Sequence, residues 1–314
     1  MTVLTLITTH DSGGGLRLRR TGERLAGYLM TAPFYVLFGV FGLFPLLYTA
    51  WVALHHWHLI NGDTGFAGLG NFAVLLRDPH FYNALFNTVS IFVLATVPQL
   101  LAALGLAALL DRPLRARTLW RASVLLPNVV SVVAVALVFG QLFAEDYGLV
   151  NWALGLVGLD PVDWRSDRFA SHVAVSVMVM WRWTGYNALL YLAAMQSVPQ
   201  ERYDAAMLDG ASRWRTFWSI TVPAIRPTIA FTVVVSTIGG LQLFAEPQLF
   251  DDTGVAGTGG ADRQFQTLAM YLYEKGFGEF DAGYAAAIAW LLFLLSAGFA
   301  LVNFSLVRRV RGGE

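Results

Sequence analysis

Apolar residues in this chain run on in long blocks instead of alternating with polar ones. Six blocks of about 20 residues or more, at 27–51, 84–110, 119–143, 169–195, 225–246 and 284–307, each have the length a helix needs to cross roughly 30 Å of hydrocarbon. The segments between them are polar. They are a loop holding GLGNF with a short amphipathic piece, the arginine turn DRPLRAR, a loop at 145–168, a stretch at 197–226, and a Gly-rich loop at 247–283. The pattern predicts an all-α integral membrane protein with six transmembrane helices. The first block is too long for a signal-peptide core and lacks a cleavage site, so it reads as a retained span. The expected organisation is a tail at 1–24, a first helix with its outer loop at 25–83, a five-helix core at 84–308, and a short tail at 309–314.

The stretch at 200–223, QERYDAAMLDGASRWRTFWSITVP, is the longest polar interlude beside these blocks that still carries helical pattern. Ser197 is the expected N-cap with Pro199 in the first turn, Tyr203–Leu208 an amphipathic helix, and Gly210 its left-handed terminator. A second helix is expected over Arg213–Thr221, stopped by Pro223. Ala205, Ala206, Gly210 and Ala211 keep side-chain bulk low, which suits close approach of another protein's surface. On helical pattern alone the same stretch reads equally as an interfacial amphipathic helix between two spans.

Composition agrees with a bilayer: 56% apolar, 14% aromatic, only 13% charged, and a mean hydropathy of +0.55. Formal net charge is zero, which gives no footing for nucleic acid, and the absence of cysteine excludes disulfides, thiolate metal sites and cysteine nucleophiles. Where the cations lie is more telling. Arg17, Arg19, Arg20 and Arg24, then Arg112, Arg115, Arg117 and Arg121, then Arg202, Arg213, Arg215 and Arg226, and last Arg308, Arg309 and Arg311 fall on one side of a six-span topology. The other side holds Arg77, Arg165, Arg168, Arg263 and Lys275. This asymmetry puts both termini and the 197–226 stretch in the cytoplasm. Lys275 is the one lysine, and no glycine-rich phosphate loop precedes it, so ATP-driven work would require a partner chain.

Asp204-Ala205-Ala206, then Gly210, then Ile220-Thr221-Val222-Pro223 resembles the EAA loop of membrane permease subunits in binding-protein-dependent ABC importers. The chain departs from that loop with Asp204 where Glu is usual and Val222 where Leu is usual. GLGNF, FYNALFNTVSIF, LWRASVLLPNVVS, DYGLVN and GYAAAIAWLLF follow in the order and spacing of the carbohydrate-uptake permeases, the group of the maltose transporter's membrane subunits. The resemblance implies a type I importer fold in a bacterial cell membrane and a sugar substrate, with a di- or oligosaccharide expected. It implies a second, related permease as partner, a cytoplasmic ATPase dimer that binds ATP and Mg, and an extracytoplasmic sugar-binding protein. This chain would hold no cofactor and no ATPase site, and Asp204, Ala205, Ala206, Asp209, Gly210, Ile220 and Pro223 would couple it to the ATPase.

Sugar recognition at membrane depth needs polar atoms for hydroxyls and aromatic faces for sugar rings. Three places supply them: Asn128 and Ser131 beside Pro127; Trp181, Arg182, Trp183, Thr184, Tyr186 and Asn187 around Gly185; and Gly239, Gly240, Gln242 and Glu246. Arg182 is costly in a span, about 2.5 to 3.5 kcal/mol unless paired or wetted. It reads either as a cavity-lining donor or as one half of a structural pair between subunits, Trp181 and Trp183 as packing anchors or stacking platforms, and Glu246 as path residue or solvated helix end. His55, His56 and His58 have no carboxylate at metal-ligand spacing and read as interface residues. Asp160, Asp163 and Asp167 read as solvated, and DDTGVAGTGGAD departs from calcium-loop order. No Ser-His-Asp or HExxH arrangement is present. An ion-gradient-driven secondary transporter is the alternative from another class, and it would call for more ionisable groups inside the spans. A membrane-embedded enzyme ranks third, since the constellation it needs is absent.

Overall fold

The computed structural model describes residues 28–311, except Leu114 and the side chains of 304 and 306–311. The expected tail 1–24 and its arginines lie outside the described residues. Two compact units divide at Trp51/Val52. Tyr28–Ala53 is α1, with a wide π turn at Gly39–Leu43. An antiparallel hairpin follows, β1 His55–His58 and β2 Gly62–Phe66, then α2 Gly70–Leu75 and α3 Pro79–Leu110. Next come α4 Arg117–Val129, α5 Val132–Leu142, α6 Leu149–Leu156 and α7 Arg168–Gln196. The chain continues through α8 Gln200–Leu208, α9 Arg213–Ala224 and α10 Arg226–Leu241. It ends with α11 Ala245–Phe250, α12 Leu268–Tyr273 with a π turn at Glu274–Gly278, and α13 Ala282–Arg311.

By length and composition, α1, α3 and α13 are apolar enough to cross a membrane, and the count reaches five if each bent pair, α4–α5 and α9–α10, is one span. The long α7 is not in that count, because Arg168, His172, Arg182 and its Ser, Thr and Asn residues lower its hydropathy. The block at 119–143, read as one span interrupted at Pro127, does break, bending by 89°. Pro127 does not make the break: α4 continues past it to Val129, and the turn falls at Val130–Ser131, where the backbone is extended. The fold is thus mainly helical, with one correction to the all-α expectation: His55, His56 and His58 form a strand.

Long asparagine side chains tie this framework together. Buried Asn71 donates to the carbonyls of Ala53 (2.9 Å) and His55 (3.0 Å), closing the turn into the hairpin. Asn83 and Asn87 both donate to the Arg263 carbonyl, at 2.8 and 2.9 Å, pinning the first turns of α3 to the Gly-rich loop. Asn151 donates to the carbonyls of Glu145 and Val162 and accepts from the Trp164 indole, so one side chain gathers the 145–168 loop. Hydrogen bonds of this kind offset the desolvation of a buried amide, although the Asn87 Oδ1 is buried without a partner. Asp167, expected to be solvated, is the N-cap of α7 and accepts from the Ala170 amide at 2.7 Å, while Asp163 folds the preceding turn. Asp251 organises the Gly-rich loop by accepting from the amides of Thr253, Gly259 and Gly260. Among the described residues no group of three or more His, Cys, Asp or Glu is placed to hold a metal ion.

Helices α3 and α7 form the most extensive pair, and three apolar cores lie along them. One gathers Ala103, Ala107, Leu110, Tyr191, Leu192 and Met195 around Ile225, at the ends of α3 and α7 nearest α8. Another packs α5 and α11 against Ala174, Val175 and Met178. Between these two cores the helices do not fill the space.

Candidate functional site

The 197–226 stretch is two helices joined by a tight turn, as its sequence pattern implies, with two of its boundaries displaced. Ser197 does not cap α8. It closes α7, its hydroxyl donating to the Ala194 carbonyl (2.7 Å), because Pro199 disfavours helical backbone at the residue before it and α8 starts only at Gln200. Pro223 does not stop the second helix either. A proline is tolerated near a helix start, and here Phe217–Thr221 widens to π geometry just ahead of it, so α9 runs on to Ala224. Its end is at Ile225, where α10 leaves at 67°.

Gly210 has φ +71°, and around it the Gly210 amide bonds the Met207 carbonyl and the Ala211 amide bonds the Ala206 carbonyl. That is the paired helix-end closure a left-handed residue permits. The Ser212 hydroxyl then caps α9 at the Arg215 amide, and the hydroxyls of Tyr203 and Thr221 meet at 3.2 Å across the two helices. Phe217 and Ile225 root the pair in the apolar core at the ends of α3 and α7. Asp204, Ala205, Asp209 and Gly210 are exposed, Ala206 is buried, and Ile220 and Pro223 are half-buried. Exposed Met207, Leu208, Trp214 and Trp218 extend an apolar surface beside them. A rigid hinged unit with an exposed apolar face is equipped for docking, and its only carboxylates, Glu201, Asp204 and Asp209, have no catalytic partner geometry.

A second site is a cavity of about 400 Å3 enclosed by α3, α7, α10 and the break between α10 and α11. The break covers Gln242–Phe244 and is held by the Thr267 hydroxyl donating to the Leu243 carbonyl at 2.7 Å. Thr96 and Gln99 line the cavity from α3, Arg182, Trp183, Tyr186 and Asn187 from α7, and Ser236, Gly239, Gln242 and Glu246 from α10 and beyond. Arg182, at the midpoint of α7, pairs with Glu246 at 2.5 Å, and the Glu246 side chain is 7% exposed. This carboxylate partner lies within the chain, and Glu246, read as a path residue or a solvated helix end, is buried. Trp183 and Tyr186 meet edge to face at 5.9 Å between ring centroids.

The two glycines of α10 do different things. Both line the cavity; a Cβ on Gly239 would meet open space, whereas one on Gly240 would fall 2.5 Å from the Phe92 ring.

A family model described as "Binding-protein-dependent transport system inner membrane component" matches residues 2–312. The chain belongs to that family. As a member of this permease family it is 38% identical over 293 residues, 90% of its length and 94% of the relative's, to the lactose transport system permease protein LacF of Rhizobium radiobacter. It is 32% identical to the trehalose/maltose transport system permease protein MalF of Thermococcus litoralis, covering 91% of this chain and 95% of that one. Its fold matches a chain of a bacterial ABC transporter involved in import of the acidic polysaccharide alginate, with a TM-score of 0.79 at 23% identity over 94% of this chain and 99% of that chain. The likeness to carbohydrate-uptake permeases read from the ordered motifs thus extends over about nine-tenths of the chain.

Not every residue singled out in the sequence reaches the permease cavity. Asn128 is half-buried and Ser131 exposed at the α4–α5 bend, and neither lines it. Trp181 turns away to pack on Phe139 (5.6 Å between centroids), and the Thr184 hydroxyl is spent on the Met180 carbonyl. Gly185 is a packing glycine against α4. Thr96 and Gln99 were missed: they sit among several polar residues of a mostly apolar helix, and only their place beside Pro98 distinguishes them in sequence.

Proposed function

We propose that this chain is the transmembrane permease subunit of an ATP-driven importer for a di- or oligosaccharide, inert alone and multi-pass in the bacterial plasma membrane. In this reading six spans cross the bilayer with both termini in the cytoplasm, α7 being the span whose polarity hides it from a hydropathy criterion. A second, related permease completes the translocation path. A cytoplasmic ATPase dimer, where ATP and Mg bind, receives the α8–α9 hinge through Asp204, Ala205, Ala206, Asp209, Gly210, Ile220 and Pro223. An extracytoplasmic sugar-binding protein delivers the substrate.

The observation that carries the reading is the cavity: amide, hydroxyl and aromatic groups converge at mid-helix depth in a molecule otherwise built of apolar spans. The names of the relatives, lactose and trehalose/maltose permeases, support the sugar. The 67° elbow at Ile225 supports the coupling, since it joins the exposed hinge directly to the helix that lines the cavity.

The test is uptake of labelled neutral saccharides by cells with and without the chain. Uptake should stop on ATP depletion and survive collapse of ion gradients, and the tagged chain should bring down an ATPase subunit. Uptake that follows the ion gradient and ignores ATP would instead establish a secondary transporter.

A further inference from the structure

The cavity lining contains two charged side chains, Arg182 and Glu246, and they are bonded to each other. Everything else in the lining is neutral: amides from Gln99, Asn187 and Gln242, hydroxyls from Thr96, Ser236 and Tyr186, the Trp183 indole and apolar groups. The cavity therefore has zero net charge, achieved by a pair and not by the absence of ions. Two donors remain over. The Arg182 Nε and the Gln99 Nε2 are buried without a hydrogen-bond partner, and Gln99 is 2% exposed.

We propose that Glu246, by neutralising Arg182, leaves the cavity without a free charge and so restricts it to uncharged saccharides, a charge filter excluding uronic, sulfonated and amino sugars; this rests on the cavity being the sugar path. A carboxylate entering the cavity faces two costly choices. It keeps its charge with no free cation to pair with, or it draws Arg182 away and strands Glu246, which is buried in α11. A cationic sugar meets the mirror image of that choice at Arg182. A neutral saccharide meets neither cost: its hydroxyls pair with the neutral amides and hydroxyls of the lining, and its apolar face lies on Trp183 and Tyr186.

The filter is tested in the complete importer reconstituted in nanodiscs without its external receptor, so that selection upstream does not enter. Equilibrium binding of lactose, maltose and raffinose is compared with that of digalacturonate. The wild type should bind at least one neutral sugar about tenfold or more tighter than digalacturonate. Glu246→Gln, which leaves Arg182 unpaired, should bring digalacturonate level with the neutral sugar, and Arg182→Gln/Glu246→Gln should restore the wild-type ranking. Equal wild-type binding of neutral and acidic sugars, or a Glu246→Gln importer with an unchanged ranking, overturns the filter. Should Glu246→Gln fail to assemble, the double variant decides, because acceptance of digalacturonate by that uncharged cavity also overturns it. Absence of any saccharide binding by the wild type removes the sugar path itself, a result distinct from a failed filter.

Discussion

The backbone of Gly185 in α7 lies directly against the carbonyl of Val124 in α4: a Cβ placed there would fall 1.7 Å from the Val124 oxygen. Backbone, unlike a side-chain tip, cannot yield. Gly185→Ala is therefore expected to push α4 off α7 and cost about 2–3 kcal/mol, read as a lowered melting temperature of the detergent-solubilised complex. Gly239→Ala, whose Cβ meets open space, should leave that melting temperature unchanged.

Asn187 lines the cavity and Asn128 does not. Asn187→Ala should raise the saccharide concentration for half-maximal uptake roughly 3- to 10-fold, the loss of one hydrogen bond to a neutral partner. Asn128→Ala should leave uptake kinetics as they are. The comparison is made in proteoliposomes with matched amounts of assembled complex.

Gly210 sits at φ +71° and is exposed. Gly210→Leu places a branched side chain in left-handed backbone at a cost of about 1–2 kcal/mol and adds bulk to the hinge face. Membrane insertion should be normal, while sugar-stimulated ATP hydrolysis by the complex should fall severalfold. Normal stimulation would remove the hinge from the coupling path.

Asp78 caps α3 at the His80 amide and accepts hydrogen bonds from the hydroxyls of Tyr271 and Tyr284. Burial pushes its pKa up, toward the neutral form, but those hydrogen bonds outweigh it and hold the carboxyl below its ordinary range. A carboxylate depressed on folding adds stability above its unfolded pKa, about 4, and loses it as pH falls through the folded value. The stability advantage of wild type over Tyr271→Phe/Tyr284→Phe should thus be full at neutral pH and shrink below pH about 4. Chemical or thermal unfolding measured across that range checks it. An advantage that grows toward acid would contradict the assignment.

Much of this was readable in residues before it was visible in space. Gly210 announced its turn because few residues tolerate that backbone, and Arg182 announced a polar interior because an unpaired cation in a span is costly. What stayed hidden depended on neighbours. Ser197 looks like a cap for α8 until α7 is seen to run up to it. Pro223 looks like a stop until the π turn before it is seen to make room. The partner of Arg182 lies 64 residues along the chain, and no local pattern selects Glu246 from the other carboxylates. The hairpin was illegible because three histidines and a tryptophan carry no alternation of apolar and polar positions to mark a strand.

The Arg263 carbonyl that receives Asn83 and Asn87 arrives late. It is 176 residues downstream of Asn87, so the ribosome must deliver nearly the whole molecule before those two amides find their acceptor. During synthesis the opening turns of α3 wait, provisionally hydrated, for a loop not yet made. Truncation before Arg263 would strip Asn83 and Asn87 of that shared acceptor and leave the opening turns of α3 untethered.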